Sequence, residues 1–240
     1  MLKNKNKQEE EQEDQAAPEE QEQILLFEAP ENPDEPKLRL ISLYGEVDED
    51  RAAEITYGLR VLKETCSDRS APELPEGEEG PQDEPQEDEE KPQEDKEKPQ
   101  EDKEPIEFII STYGGSAVEM FAIYDTMRMV KDECEIHTLG LGKVMSAGVL
   151  LLAAGTKGKR KIAKNCRVMM HSVIGGSAGA IHNLENEMEE IRFTQKQHIE
   201  CLLEETTMTR AYLKRLLNKR VNVYLTAEEA VELGIADEIV

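Results

Sequence analysis

The 240-residue sequence predicts an α/β domain with a largely parallel β-sheet. Short apolar segments of strand type alternate with longer segments in which apolar residues recur every three or four positions, as expected for strands joined by crossover helices. Two other regions are rich in Glu, Gln and Pro and poor in core-forming residues, so they are predicted to be disordered. One fold class therefore accounts for the folding part, and two acidic segments lie outside it.

The acidic segments are an amino-terminal tail, residues 1–36, and an insertion, residues 67–104. They leave residues 37–66 and 105–240 for a single folded domain. The insertion contains three near-copies of a seven-residue unit, the first of which begins at Glu84. A proline in every copy and the lack of paired apolar positions exclude a coiled coil, so the insertion is predicted to be extended and solvated.

The net charge of −24 is concentrated in these segments. Residues 71–104 carry 16 acidic and 4 basic side chains, residues 1–30 carry 9 acidic and 3 basic, and the remaining chain has a net charge of only −6. Because no basic face is evident that would neutralise phosphates, nucleic acid is not expected as a partner.

Hydropathy and cysteine usage predict the compartment. The longest apolar run, residues 149–154, is too short to span a bilayer, and the lysine-containing start lacks the apolar stretch of a secretion signal. Four widely spaced cysteines form no metal or redox motif and fit a reducing compartment. These features predict a soluble cytoplasmic protein without membrane contact.

The first strand and helix follow from local pattern. The alternation in residues 38–44 predicts a strand that ends at Gly45, and the acidic residues 48–50 begin a helix. Apolar residues then recur on one helix face, namely Ala52, Ile55, Leu59 and Leu62. This segment is the first strand-helix unit of the domain.

The second unit begins after the insertion. Residues 106–110 form a strand that runs into the turn Gly114-Gly115, and Ser116 with Glu119 has the capping-box spacing that begins a helix. Further strands are predicted at residues 135–141 and 164–170, and further helices at residues 144–154 and 183–204.

The helix predicted at residues 183–204 has an apolar stripe among many charged residues. One small domain need not bury such a stripe, so the helix is expected to protrude and to contact a second copy across a two-fold axis through Ile191 and Ile199. A helix packed on its own domain is the alternative.

Residues 142–148, Gly-Lys-Val-Met-Ser-Ala-Gly, precede the apolar run. The pattern predicts a loop that turns into a buried helix with Ser146 in its first turn. Backbone N–H groups at a helix start have no partner within the helix, so an oxyanion beside Ser146 would meet donors already in place. Ser146 is therefore a candidate nucleophile, although a small residue at this position is also expected where helices pack closely.

Two neighbouring segments complete a set of motifs. Residues 108–116 run from an apolar strand into Thr-Tyr-Gly-Gly-Ser, and residues 167–171, Arg-Val-Met-Met-His, end a second strand before Gly175-Gly176. With residues 142–155, these segments resemble the proteolytic subunit of the Clp protease, a serine peptidase of the ClpP/crotonase-like fold. The resemblance covers about residues 38–65 and 105–240.

The resemblance implies roles for five residues. Ser146 would attack the peptide carbonyl, and His171 would act as general base. Gly115 and Ala147 match the backbone donors of the family's oxyanion hole. Asn222 stands where the family places an aspartate; an asparagine can hold the imidazole tautomer but cannot stabilise its positive charge.

Other polar residues have no assigned role. His137, His182 and His198 lie in surface-like patterns and are not predicted to be catalytic. Asp237 is a second candidate carboxylate, although it matches the family elsewhere. No cofactor or metal is expected, because no cluster has metal-ligand spacing.

The resemblance predicts a self-compartmentalising serine endopeptidase, a homo-oligomer of stacked rings that acts on protein or peptide substrates. Family members work with AAA+ unfoldases, and the sequence leaves that partner open. Asn222 favours a catalytically impaired ring or scaffold subunit as an alternative. A second alternative is a capsid-maturation protease, the role of divergent relatives encoded by bacteriophages. A crotonase-type acyl-CoA enzyme would need an acidic residue in place of Ser146.

Overall fold

A computed structural model describes residues 38–65, 104–217 and 221–240, which form a mixed α/β fold and confirm the predicted fold class. The predicted tail, and the predicted insertion up to residue 103, lie outside the described residues. The elements in chain order are β1 (Leu40–Val47), α1 (Glu49–Glu64), β2 (Ile106–Gly115), α2 (Ala117–Lys131), β3 (Ile136–Met145), α3 (Ala147–Ala153), β4 (Lys161–Ile162), β5 (Arg167–Met170), α4 (Ile181–Glu205), α5 (Arg210–Leu217), β6 (Val223–Leu225), α6 (Ala227–Glu232) and β7 (Glu238–Ile239).

The sheet is mostly parallel and follows the strand order β1-β2-β3-β4-β7. β3 pairs with two neighbours in turn, because Leu139 and Gly140 lie against β4 whereas residues 143–145 lie against β5. β6 pairs antiparallel with β5. The carboxyl ends of β1, β2, β3 and β5 therefore share one edge of the sheet, the edge where open α/β folds place their binding groups.

The core lies between the sheet and its helices. All seven residues of α3 are buried, and Phe108 and Ile110 of β2 have no exposed surface. Burial of a large apolar side chain stabilises a fold by about 1.5–3 kcal/mol. Ser116 caps α2, since its side chain accepts a hydrogen bond from the N–H of Glu119 at the predicted spacing.

The helix predicted over residues 144–154 is shorter in the structure and begins at Ala147. Val144 and Met145 pair with Val168 and Met169 of β5, which keeps them in extended strand. Ser146 is therefore the residue before the helix rather than part of its first turn. The short elements β4, β6, α6 and β7 were not predicted, because they contain too few residues to show a period. The helix α5 was missed although its buried leucines, Leu213, Leu216 and Leu217, recur at helical spacing.

The long helix α4 has two different halves. Residues 181–190 are exposed throughout, whereas His198, Ile199 and Leu202 are buried in the domain. Ile199 is thus a core residue and does not provide the exposed contact predicted for it. No helix in the described ranges is both long and apolar enough to cross a membrane.

Arg39 joins the two chain ends between which the insertion lies. Arg39 is 8% exposed, and its guanidinium donates to the carbonyl oxygens of Leu62 at 2.7 Å, Thr65 at 3.1 Å and Glu104 at 3.1 Å. Thr65 and Glu104 are the described residues on either side of residues 66–103, which lie outside the described part of the chain. Thr65 and Glu104 therefore lie close to each other, at the amino-terminal end of β1 and β2.

Candidate active site

Ser146 lies at the turn between β3 and α3 in a conformation that few side chains adopt. With φ of 53° and ψ of −118°, it is the one non-glycine residue with positive φ in the described part of the chain. Such strain costs about 1–3 kcal/mol. The surrounding backbone holds it, because the Ser146 N–H donates to the carbonyl of Met169 at 2.8 Å. A strained serine at a strand-to-helix turn is an arrangement that exposes a nucleophile.

Ser146 opens into a cleft of about 560 Å³, which we call the Ser146 cleft. Gly115, Ala147 and His171 line the cleft together with the serine. The structure thus brings four of the five predicted site residues to one cavity, at the carboxyl ends of β2, β3 and β5.

The glycine turn at the end of β2 packs directly on the serine. A Cβ atom added to Gly114 would lie 2.5 Å from Ser146 Cβ and 3.0 Å from its Oγ. A Cβ added to Gly115 would lie 2.3 Å from the carbonyl oxygen of Val47. The sequence assignment named Gly115 alone and missed Gly114, although the paired glycines were the available signal. Only glycine fits at either position.

Two backbone segments could serve as oxyanion donors. Ala147 is the first residue of α3, and a helix does not use the N–H groups of its first turn. On the other side of the cleft, the N–H groups that flank Gly115 are engaged, that of Gly114 with Thr112 Oγ1 at 2.9 Å and that of Ser116 with the Val47 carbonyl at 2.8 Å. The turn that carries Gly115 is therefore held rigidly beside Ser146.

His171 follows the last residue of β5 and is half-buried. Its Nδ1 atom lies 2.6 Å from the carbonyl oxygen of Ser172. Because a carbonyl can only accept, Nδ1 carries the proton and Nε2 is the basic nitrogen. No hydrogen bond joins Ser146 Oγ to His171 within the described residues, and catalytic hydrogen bonds often form only when substrate is bound.

Asn222 immediately precedes β6. Since Met170 pairs with Val223 in the antiparallel ladder, one further step in register places Asn222 beside His171. Its side chain is exposed and it does not line the Ser146 cleft. The imidazole instead uses the Ser172 carbonyl, so among the described residues the Asn222 amide makes no hydrogen bond to His171.

His198 is not at the surface, contrary to the pattern-based prediction. It is 7% exposed and lines the Ser146 cleft from α4. Burial, together with the nearby His171, lowers the pKa of His198 to about 4, so the imidazole is neutral at pH 7. The signal in the sequence was its position four residues before Leu202, which puts both on one helix face.

Asp237, the second candidate carboxylate, has a structural partner. It pairs with the buried Arg160 and accepts from the N–H of Gly158 at 2.7 Å. Burial would raise the pKa of the Asp237 carboxyl, but the hydrogen bonds from Arg160 outweigh it and hold the pKa below its ordinary value. Asp237 therefore fixes the carboxyl-terminal segment. No group of three or more His, Cys, Asp or Glu side chains is placed to hold a metal ion in the ranges described.

The protein has an α/β fold, and one edge of its sheet carries a strained serine, a histidine and a glycine turn that line a common cleft. The sequence model of the Clp protease family matches residues 97–240, more than half of the chain. The chain therefore belongs to the Clp protease family, a family of serine-type peptidases.

Proposed function

We propose that the protein is a self-compartmentalising serine endopeptidase with Ser146 as nucleophile and His171 as general base. The observation that carries the proposal is the Ser146 cleft, in which Ser146, His171, Gly115 and Ala147 meet although they come from different elements. The strained backbone of Ser146 supports it, because proteins retain such strain mainly at functional sites.

The proposed reaction proceeds through an acyl-enzyme. The Ser146 hydroxyl adds to the carbonyl carbon of the substrate while His171 Nε2 takes its proton, and the resulting oxyanion accepts from the N–H groups of Gly115 and Ala147. The C–N bond then breaks, and His171 returns the proton to the leaving amine. Water, deprotonated by His171, hydrolyses the ester and restores the free Ser146 hydroxyl.

In this proposal the Ser172 carbonyl orients the general base, His171. The carbonyl fixes the Nδ1–H tautomer of His171 at 2.6 Å, as a triad aspartate would. It carries a dipole and no net charge, so it stabilises the imidazolium less, and replacement of a triad aspartate by a neutral asparagine can cost about 10⁴ in turnover. Turnover is therefore expected to be slow.

The exposed half of α4 supports an oligomer. Leu184, Met188 and Phe193 are 38%, 48% and 53% exposed, and a shallow groove runs between Leu184, Met188 and Arg192. Exposed apolar surface of this kind marks a contact site. Pairing of this face with a second copy across a two-fold axis, combined with head-to-tail contacts that close a ring, would produce stacked rings around the active sites.

A fluorophosphonate probe tests the proposal. In the full chain we expect one adduct, on Ser146, which Ser146→Ala removes and which His171→Ala reduces at least 100-fold, within the range that general-base catalysis contributes. His137→Ala is the matched control, since His137 pairs with Glu135 outside the cleft. An adduct on another serine, with Ser146 unmodified, would refute the mechanism.

A catalytically impaired scaffold subunit is the second candidate. The exposed side chain of Asn222 favours it, as does the fact that the hydrogen bond described for His171 goes to the neutral Ser172 carbonyl and not to a carboxylate. A scaffold subunit would assemble into the same large particle, yet Ser146 would not react with the probe. Labelling combined with sedimentation of the same sample therefore separates the two functions.

A further inference from the structure

The buried imidazole of His198 is a polar group in the Ser146 cleft that the proposed mechanism does not use. Only 7% of its surface is exposed, and its Nε2 atom is fully buried without a hydrogen-bond partner among the described residues. A buried polar atom without a partner costs about 1–3 kcal/mol. Such groups are rare in folded proteins, so this one requires an explanation.

His198 belongs to the inner wall of the cleft. Met120 and Ala147, which also line the cleft, are only 2% and 3% exposed, whereas Tyr113 at its mouth is 69% exposed. Other polar residues line the cleft, among them Glu46, Ser116 and His171, but they are exposed or half-buried, and His198 is the buried polar side chain of the lining. Because Ser146 opens into the same cavity, a substrate side chain next to the scissile bond is the one placed to enter it.

The position of this imidazole is tied to the cleft wall. One turn earlier on α4, the side-chain oxygen of Gln195 accepts a hydrogen bond from the N–H of Val173 at 2.7 Å. Val173 itself lines the cleft. The contact fixes the helix against the segment that follows His171, so the helix turn that carries His198 is held beside the cleft. The imidazole is neutral at pH 7, and it then offers one donor and one acceptor.

We infer that His198 selects substrates in which the residue that supplies the scissile carbonyl has an uncharged side chain ending in a hydrogen-bonding group, with glutamine as the best fit. The inference rests on the proposed function and names the substrate class of the same site. A glutamine amide contains both a donor and an acceptor, so it can pair with either tautomer of His198.

Other side chains fit this wall less well. Glutamate would bring a charge next to a neutral imidazole and the apolar Met120, and burial of an unpaired charge is costly. Lysine could pair with the exposed Glu46 of the cleft lining, but its ammonium has no acceptor lone pair and leaves the donor of the imidazole without a partner. Methionine has nearly the shape of glutamine but leaves the imidazole without a partner. A site that is built to hydrogen-bond its substrate discriminates strongly against an analogue that lacks the group.

Two fluorogenic peptides that differ only in glutamine or methionine before the cleaved bond test the inference on the full chain. We expect kcat/KM of the wild type to be at least about tenfold higher for glutamine. His198→Met, which keeps the side chain bulky and removes the hydrogen bond, should abolish or invert this preference. Gln197→Met is the matched control, because Gln197 lies on the exposed face of the same helix turn.

Fluorophosphonate labelling of Ser146 separates the outcomes. If Ser146 is labelled but the wild type cleaves the methionine peptide as fast as the glutamine peptide, the inference is overturned and the proposed function stands. A glutamine preference that persists in His198→Met also overturns it, because another group then binds the amide. If Ser146 is not labelled and neither peptide is cleaved, the proposed function fails and the inference with it. Should His198→Met not fold, the wild-type preference decides alone.

Discussion

The Nδ1 atom of His171 lies 2.6 Å from the carbonyl oxygen of Ser172, the next residue in the chain. The base is thus oriented by its own backbone segment and not by a side chain from another strand. This contact explains how a chain with asparagine at position 222 can keep the tautomer that the proposed mechanism needs. The carbonyl orients the imidazole as a triad aspartate would, but it supplies no negative charge to stabilise the imidazolium.

The first prediction concerns Asn222. Because the Ser172 carbonyl already holds Nδ1 and the Asn222 side chain is exposed, Asn222→Ala should slow fluorophosphonate labelling of Ser146 by less than about threefold, far below the cost of losing an orienting group. The labelling rate is measured beside that of His171→Ala. A tenfold or larger loss would mean that Asn222 does act as the third member of the site.

The second prediction concerns Gly114. An alanine Cβ there would lie 2.5 Å from Ser146 Cβ, and the φ of 103° at this position is unfavourable for any side chain. Gly114→Ala should therefore displace the serine and slow its labelling at least about tenfold, with a loss of stability of about 1–3 kcal/mol. Gly176→Ala is the control, since a Cβ at Gly176 meets no atom within 4 Å. Equal labelling of both variants would contradict the packing of the glycine turn on Ser146.

The third prediction concerns Arg39. Arg39→Met removes the hydrogen bonds to Leu62, Thr65 and Glu104. The variant should have a free energy of unfolding about 2–3 kcal/mol lower, because these partly buried backbone carbonyls lose the charged guanidinium that donates to them. Arg51→Met is the control. Its salt bridge to Glu54 is exposed and should contribute less than about 1 kcal/mol.

The hydrogen bonds of Arg39 also predict the effect of removing the insertion. Since one guanidinium binds both Thr65 and Glu104, a short Gly-Ser linker can replace residues 66–103, and Tm should change by no more than about 4 °C, equivalent to roughly 1 kcal/mol for a domain of this size. Cooperative unfolding at a much lower temperature would show that the acidic repeats contribute to the fold.

The fourth prediction is a pH dependence of stability that His198 causes. The pKa of His198 is about 4 in the folded protein and about 6.5 in an unfolded chain. Between these values the unfolded chain binds a proton that the folded chain does not, so stability falls as pH falls from 6.5 to 4, by about 3 kcal/mol in total. Above pH 6.5 His198 adds no pH dependence.

Denaturant unfolding of wild type and His198→Met at pH 7 and pH 4.5 measures this difference. Carboxylates such as Asp237 titrate in both proteins, so the subtraction isolates His198. The wild type should lose more stability on acidification than the variant. Parallel losses in the two proteins would show that His198 is not held neutral by burial.

The fifth prediction concerns assembly. Met188→Glu places a carboxylate on the exposed apolar face of α4, where Met188 is 48% exposed, and should halve the particle mass or reduce it further, because burying a charged group in an apolar contact carries a large desolvation cost. Glu187→Gln, an exposed neighbour outside the groove, is the control. Sedimentation of the wild type as a monomer or dimer of the 27.1 kDa chain at micromolar concentration would exclude a ring.

The sequence by itself determined the features that depend on neighbouring residues. The α/β alternation, the cap at Ser116 and the buried helix after Ser146 were predictable because periodicity, capping and turn chemistry are local. The motifs around Ser146 and His171 were recognised for the same reason, since each is a continuous run of a few residues.

Only the tertiary structure decided how distant segments meet. β3 extends through Met145 because β5 pairs with it, Gly114 contacts Ser146 because β2 and β3 are adjacent, and His198 is buried because the second half of α4 packs on the domain. No local pattern encodes these contacts, since each depends on the spatial order of strands and helices. Nor could the sequence show that the Ser172 carbonyl accepts a hydrogen bond from the Nδ1–H group of His171, because that depends on the course of the backbone after β5.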